Sequence, residues 1–146
     1  MFSTSRAKEA DARRMGATDF VETRDPAVFA SLARRFDLVI DTVSAAHDYN
    51  LYLATLRPHG AMVVVGAPPA PTPVSAFALI MGNRRLAGSL IGGIRETQEM
   101  LDFCGAHRIG SDVEVIPIQQ INAAYERLLK GDVRYRFVID LASLKA

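Results

Sequence analysis

Apolar runs closed by turns alternate with helical patterns along most of the chain. The most regular run is Phe36 to Ile40, which Asp41 and Thr42 close. A short, largely apolar run with β-branched residues is typical of a strand buried on both faces of a parallel sheet. Ala61 to Gly66 has the same character. Both runs are therefore predicted to form strands that are buried on both faces.

The rest of the chain continues this alternation. Helices are predicted over Arg6–Met15, Ala27–Arg35, Asp48–Leu56, Val74–Met81, Glu96–His107 and Ile121–Leu129, and further strands over Asp19–Glu22, Arg85–Ile91, Val113–Ile118 and Phe137–Asp140. Strand and helix at this spacing favour right-handed crossovers and an α/β fold with a doubly wound parallel sheet. The rhythm changes after Gly110, so residues 1–110 are predicted to form one domain and residues 111–146 a separate piece.

A doubly wound sheet binds ligands at the carboxyl ends of its strands. The turn that follows the strand Phe36 to Ile40 should therefore border a site, and Asp41 to Ala45 are its candidate residues. The alternative is that Asp41 and Thr42 only cap the next helix, since aspartate and threonine are common N-cap residues.

Composition narrows the class of protein. The 146 residues are 49% hydrophobic, and 17 basic residues nearly balance 16 acidic ones to give a net charge of +1. A field this weak does not favour nucleic acid or an anionic membrane as a partner. The single cysteine excludes an internal disulfide, and neither a secretory leader nor a long apolar run is visible. We expect a soluble, cytoplasmic protein.

Residues with metal-binding or nucleophilic chemistry are few. Cys104 is predicted to face the core as inert packing, and the three histidines lack the spacing of zinc ligands. His47 lies at a strand end, where a solvated or helix-capping histidine is the favoured interpretation. We therefore predict no catalytic residue and no metal ligand. The glycines between Gly88 and Gly93 are interpreted as a turn, because no acidic partner for a dinucleotide fingerprint follows them.

A polar cluster near the start of the chain has more specific chemistry. It combines hydroxyls with bases at the start of a predicted helix: Ser3, Thr4, Ser5, Arg6 and Lys8. Such groups suit a phosphate monoester. In a dinucleotide fold, hydroxyls and a base after the second strand accommodate the 2′-phosphate of NADP, whereas an acid selects NAD. The alternative is a plain N-cap, which would account for Ser5 completely.

Six segments together resemble one known family. They are Met15–Ala17, Phe36–Ser44, Val64–Pro68, Leu86–Gly93, Glu96–Phe103 and Gly131–Asp140. These segments resemble the C-terminal part of the zinc-dependent medium-chain alcohol dehydrogenases, in the cinnamyl-alcohol-dehydrogenase-like branch. The resemblance covers essentially the whole chain, and its last two segments are the most specific. A zinc-free, quinone-reductase-like relative fits less well, because Asp132 to Asp140 matches the zinc branch better.

The resemblance implies an incomplete Rossmann domain followed by a C-terminal segment of the catalytic domain. The chain would begin at the end of the second strand, so that the first strand, the glycine fingerprint and all zinc ligands would lie upstream. The implied function is that of a fragment of an NADP-dependent alcohol dehydrogenase or aldehyde reductase. Hydride would pass between nicotinamide and a primary alcohol or aldehyde, at a zinc centre that the missing part supplies. The open alternative is a non-catalytic α/β interaction module that assembles through its sheet edge.

The resemblance also implies site residues, all of them for the cofactor. Ser3, Thr4, Ser5 and Arg6, with Lys8, would hold the 2′-phosphate of NADP; Thr42, Val43 and Ser44 would border the cofactor; Val65, Gly66, Ala67, Ser89, Leu90 and Ile91 would line the nicotinamide; and Arg136 would approach the phosphates. The strand Leu86 to Ile91 would pair with a second copy to form a homodimer. The missing first strand would leave a gap in the middle of the sheet.

Overall fold

A computed structural model describes residues 1–145 and divides the chain into two compact units, Met1–Ile91 and Gly92–Ala146. Ala146, the last residue of the predicted C-terminal piece, lies outside the described residues. The predicted division after Gly110 falls inside the second unit. That division stays a prediction.

The first unit contains five strands, β1 to β5, and four α-helices, α1 to α4. The strands are β1 (Phe2–Ser3), β2 (Val21–Glu22), β3 (Phe36–Asp41), β4 (Leu56–Val64) and β5 (Arg85–Gly88), and the helices are α1 (Glu9–Arg14), α2 (Val28–Ser31), α3 (Tyr49–Thr55) and α4 (Ala76–Ile80). A 3₁₀ turn, Arg6–Lys8, precedes α1, so the predicted helix over residues 6–15 is divided in two. Gly16, at φ +98°, ends it in the left-handed conformation.

All strand pairs are parallel, which confirms the α/β fold class. β3, β4 and β5 form one sheet in that order, with Val39 opposite Met62 and Met62 opposite Leu86. β1 and β2 form a separate sheet of two strands. Among residues 1–145, β3 has a hydrogen-bonded strand partner on one side only. The predicted gap left by a missing first strand stays a prediction.

The core of the first unit lies between α3 and the central strands. It consists of Val39, Tyr49, Leu53, Leu56 and Met62, and the last three are fully buried. Tyr49 and Leu53 lie four residues apart on α3, so that one helix face covers one sheet face. A cluster of four rings, Phe2, Phe29, Phe36 and Tyr52, joins β1 and α2 to this core.

The prediction that β3 is buried on both faces is wrong for the described chain. Leu38 is 54% and Ile40 61% exposed, whereas Val39 is 7% exposed. Successive side chains of a strand point to opposite faces of the sheet. One face of β3 is therefore covered by the core, and the other face leaves two large apolar side chains in contact with solvent.

The second unit contains a parallel pair of strands and two α-helices. Its elements are α5 (Ile94–Ala106), β6 (Glu114–Pro117), α6 (Ile121–Leu129) and β7 (Phe137–Asp140), with 3₁₀ turns at Ile118–Gln120 and Leu141–Lys145. The predicted bounds of α6 and β7 are confirmed. Cys104, predicted to face the core, is only half-buried on α5, and Met100 and Leu101 of the same helix are 51% and 54% exposed.

Candidate functional site

The polar cluster at the start of the chain lies where two parallel strands end together. Ser3 and Glu22 are opposite each other, and the Thr23 amide donates to the Ser3 carbonyl at 2.9 Å. The Ser3 hydroxyl donates to the Ser5 carbonyl and accepts from the Ser5 amide, both at 3.3 Å. Ser5 is at the N-cap position of the 3₁₀ turn, but its side chain makes no capping hydrogen bond. The N-cap alternative therefore does not account for the Ser5 hydroxyl.

Three cations accompany these hydroxyls. Arg6 is 77% exposed and pairs with Glu9 at 3.4 Å, while Lys8 is exposed. The pKa of Glu9 is held below its usual value, chiefly by a hydrogen bond from Arg13, with a smaller contribution from Arg6. Arg24 is not among the predicted residues, but its Nη2 donates to the Thr4 carbonyl at 3.5 Å. The parallel pairing of β1 and β2 could have indicated Arg24, because it brings the residues after each strand to one edge of the sheet.

A second group of predicted residues lies where β3 and β4 end. The Asp41 carbonyl accepts from the amides of Val65 and Gly66, at 2.8 and 3.1 Å. Gly66 is buried, and a Cβ on it would lie 2.5 Å from the Val43 carbonyl oxygen. That separation is too short for any side chain. The exits of the two strands can approach this closely only because residue 66 is glycine.

The predicted residues after β5 lie at the same edge of the sheet. Gly88 pairs with Val64, and the Ser89 amide donates to the Val64 carbonyl at 3.0 Å. Leu90 and Ile91 follow and are 90% and 89% exposed. The structure thus brings three predicted sets to one carboxyl edge, namely Thr42–Ser44, Val65–Ala67 and Ser89–Ile91. Most of these side chains are exposed along the edge.

Asp41 does not cap the next helix, so that alternative is wrong. Its buried carboxylate accepts from the Val43 amide at 3.0 Å and faces His47 Nε2 at 3.0 Å. Asp48 caps α3 instead, by accepting from the Asn50 amide at 2.9 Å. His47 is neither solvated nor a helix cap. Its side chain is 16% exposed, and its Nδ1 contacts the Ala45 carbonyl at 2.8 Å.

Arg136 belongs to the second unit and is described within it. It lines an apolar cavity of about 290 Å³, together with Tyr125, Tyr135 and residues of α6 and β7. The preceding loop is anchored by Glu114, which accepts from the Arg134 amide at 2.9 Å and from Arg127 at 2.8 Å. These two donors lower the pKa of Glu114, the backbone amide most strongly. The predicted contact of Arg136 with cofactor phosphates stays a prediction.

A zinc site does not fit the residues of this chain. Across positions 1–145, no group of three or more His, Cys, Asp or Glu side chains could hold a metal ion. No chemical step through zinc is therefore assigned to these residues.

The described helices include none that is both long and apolar enough to cross a bilayer.

Comparison with known proteins agrees with this geometry. Residues 1–106 match the family of zinc-binding dehydrogenases, and the chain belongs to that family. It is 52% identical to the probable formaldehyde dehydrogenase AdhA of Bacillus subtilis, over 99% of this chain and 41% of that protein. It is 50% identical to the NADP-dependent alcohol dehydrogenase C 1 of Mycolicibacterium smegmatis, over 100% of this chain and 42% of that protein. The chain thus spans about two-fifths of the length of these relatives.

Two solved structures confirm the Rossmann-like fold. A cinnamyl alcohol dehydrogenase of Sorghum bicolor is 46% identical with a TM-score of 0.88, over 97% of this chain and 40% of that chain. A cinnamyl alcohol dehydrogenase of Helicobacter pylori, complexed with NADP(H), is 37% identical with a TM-score of 0.80, again over 97% of this chain and 40% of that chain. The resemblance to the cinnamyl-alcohol-dehydrogenase-like branch is therefore confirmed.

Proposed function

We propose that this chain forms the cofactor-holding part of an NADP-dependent alcohol dehydrogenase or aldehyde reductase. The observation that carries the proposal is the shared edge at which the exits of β3, β4 and β5 meet. Gly66 there lets the exits of β3 and β4 approach closely, because a Cβ would lie 2.5 Å from the Val43 carbonyl oxygen. Parallel α/β sheets bind dinucleotides at such an edge. NADP, when bound, would supply or accept the hydride.

The proposed roles of the residues follow their positions. Thr42 to Ser44 border the cofactor, while Val65 to Ala67 and Ser89 to Ile91 line the nicotinamide. The hydroxyls of Ser3, Thr4 and Ser5, with Arg6 and Lys8, hold the 2′-phosphate, and Arg136 approaches the phosphates. A hydroxyl of Ser5 that caps no helix and an Arg6 that is 77% exposed support the 2′-phosphate role.

The remaining parts of a complete enzyme lie outside these residues. Zinc would have to be bound by a further part of the protein, equivalent to the part of the relatives that lies outside their match to this chain. The substrate is proposed only as a primary alcohol or aldehyde. We also propose a cytoplasmic location and a homodimer formed through the segment Leu86 to Ile91, which contains the end of β5. The outer position of β5 in its sheet and the exposed Leu90 and Ile91 support such an interface.

Cofactor preference tests the proposal. The test protein is a fusion, here termed the completed enzyme, in which the part of the Mycolicibacterium smegmatis relative that precedes its match is placed before Met1. We expect the completed enzyme to bind NADPH more tightly than NADH. Arg6→Asp should reverse that preference, because a carboxylate repels the 2′-phosphate and can accept from a ribose hydroxyl. Dissociation constants for both nucleotides, measured by fluorescence titration, check this.

Arg95→Asp is the matched control. Arg95 is also exposed and pairs with a glutamate on the same helix, Glu99 at 3.7 Å, but it lies on α5. This variant should leave the preference unchanged. If the completed enzyme binds neither nucleotide, the non-catalytic interaction module becomes the better account. If it binds NADPH and Arg6→Asp has no effect, only the role of Arg6 is wrong.

A further inference from the structure

Asp41 joins four backbone and side-chain groups at the edge where β3 ends. Its carbonyl holds the amides of Val65 and Gly66, and its carboxylate holds the Val43 amide and the His47 ring. Asp41 is only 6% exposed. A buried carboxylate is costly unless its oxygens are hydrogen-bonded, and here both oxygens have partners. One residue therefore ties the β3 exit to the β4 exit.

His47 lies at the end of the loop that begins at Asp41, and its ring contacts both Asp41 and Ala45. Its Nδ1 lies 2.8 Å from the Ala45 carbonyl and its Nε2 lies 3.0 Å from Asp41 Oδ2. The ring packs against Tyr49 and Tyr52, with centroid separations of 5.0 and 5.5 Å. The imidazole thus bridges two points of the loop while neighbouring rings fix its orientation.

The hydrogen-bond chemistry of the pair is specific. A carbonyl only accepts, so Nδ1 must carry a hydrogen. The contact of Nε2 with the carboxyl group is a hydrogen bond when a hydrogen lies between the two atoms. An amide at position 41 could replace that hydrogen, because its NH₂ can donate to a neutral Nε2 while its oxygen accepts from the Val43 amide. An alanine or a phenylalanine in either position could not.

We propose that Asp41 and His47 are positioning residues that fix the backbone from Thr42 to Ala45 for a nicotinamide dinucleotide. The inference rests on the proposed function. Neither residue needs to touch the dinucleotide. The pair holds the loop, and the loop together with the exposed Val65 and Ala67 forms the surface against which the dinucleotide binds. A loop held in the binding conformation before binding loses less conformational entropy when the ligand arrives.

The test compares three variants of the completed enzyme. His47→Phe keeps an aromatic ring of similar size but removes both hydrogen bonds, and it should weaken NADP⁺ binding on the order of tenfold. Asp41→Asn should stay within about threefold of the wild type, because an amide preserves the hydrogen bonds. His107→Phe, on a ring that lies 4.2 Å from Phe103 in the second unit, should have no effect. Dissociation constants from titration give the result.

A second measurement follows the loop without any cofactor. In the 146-residue chain, amide hydrogen exchange of Val43 should accelerate at least tenfold in His47→Phe, by loss of local order, and should change little in Asp41→Asn. Unchanged NADP⁺ binding in His47→Phe, with normal wild-type binding, would overturn this inference alone. Absence of NADP⁺ binding in the wild type would overturn the proposed function, and unchanged Val43 exchange would overturn the positioning role itself.

Discussion

At the scale of single residues, Gly66 is the position where the site depends most directly on the absence of a Cβ atom. A Cβ would lie 2.5 Å from the Val43 carbonyl oxygen and 2.7 Å from the Thr42 carbonyl carbon. Both contacts are with backbone, which cannot rotate away as a side chain can. The exits of β3 and β4 would have to separate to admit a methyl group, and their hydrogen bonds to Asp41 would lengthen.

Gly66→Ala should therefore destabilise the chain by about 1–3 kcal/mol, as overpacking does elsewhere. It should also weaken dinucleotide binding in the completed enzyme. Urea unfolding and nucleotide titration measure the two effects. Gly105→Ala is the control, because a Cβ there meets nothing within 4 Å and lies within α5, where alanine favours the helix. Equal stability of the two variants would contradict the steric role of Gly66.

The sequence identified these residues more readily than it identified their contacts. Gly66 and Val43 were predicted as neighbours of a cofactor through the resemblance, yet their close approach depends on the register of two strands. Asp41 could equally have capped a helix, because its local sequence is compatible with both roles. The contact with His47 depends on a turn and on surrounding rings, which the pattern of apolar residues does not encode.

At the scale of elements, the local sequence pattern predicted where the helices and strands lie. Hydrogen bonding between strands determines where the strands end. The apolar run Arg85–Ile91 was predicted as one strand, but β5 ends at Gly88, opposite the last residue of β4. α6 and β7 agree with prediction, because a strong helical period and a short apolar run specify them. α2 is shorter than predicted and is confined to four residues. Hydrogen bonding between elements, which the sequence does not show, accounts for such differences.

The anchor between β6 and the loop before β7 gives a pH-dependent prediction. Hydrogen bonds from the Arg134 amide and Arg127 lower the pKa of Glu114 below its usual 4.5. Because the folded value is the lower one, the stabilisation is present above pH 4.5 and is lost as the pH falls through the folded value. Protonation should therefore release the loop only in more acidic solution.

Titration of the Glu114 carboxyl carbon by NMR should show a midpoint below 4.5. Arg127→Met should move the midpoint toward the usual value but not all the way, because the Arg134 amide remains. Arg57→Met is the control, since Arg57 pairs with Asp37 in the first unit. A midpoint at or above 4.5 in the wild type would show that the anchor does not form in solution.

At the scale of the whole molecule, large apolar side chains are exposed on and after the outer strands of the β3-β4-β5 sheet. Leu38 and Ile40 on β3 are more than half exposed, as are Leu90 and Ile91 after β5. Both β3 and β5 are outer strands of their sheet among the described residues. Open edges with apolar flanks tend to pair with another chain. We nonetheless expect different partners at the two edges. The family resemblance implies a further strand of the same protein beside β3 and a second copy of the chain beside β5.

Self-association through the β5 edge is the remaining prediction. The 146-residue chain should sediment as a dimer that dissociates on dilution, because the strand from Leu86 and the exposed side chains after it can pair with the same segment of a second copy. Leu90→Lys should shift the chain to a monomer by placing a charge in that interface. Leu129→Lys, on a residue that is 87% exposed in the second unit, should leave the dimer intact. A monomer at every concentration would contradict pairing at this edge, and association that survives Leu90→Lys would assign it to another surface, with the open side of β3 the first to examine.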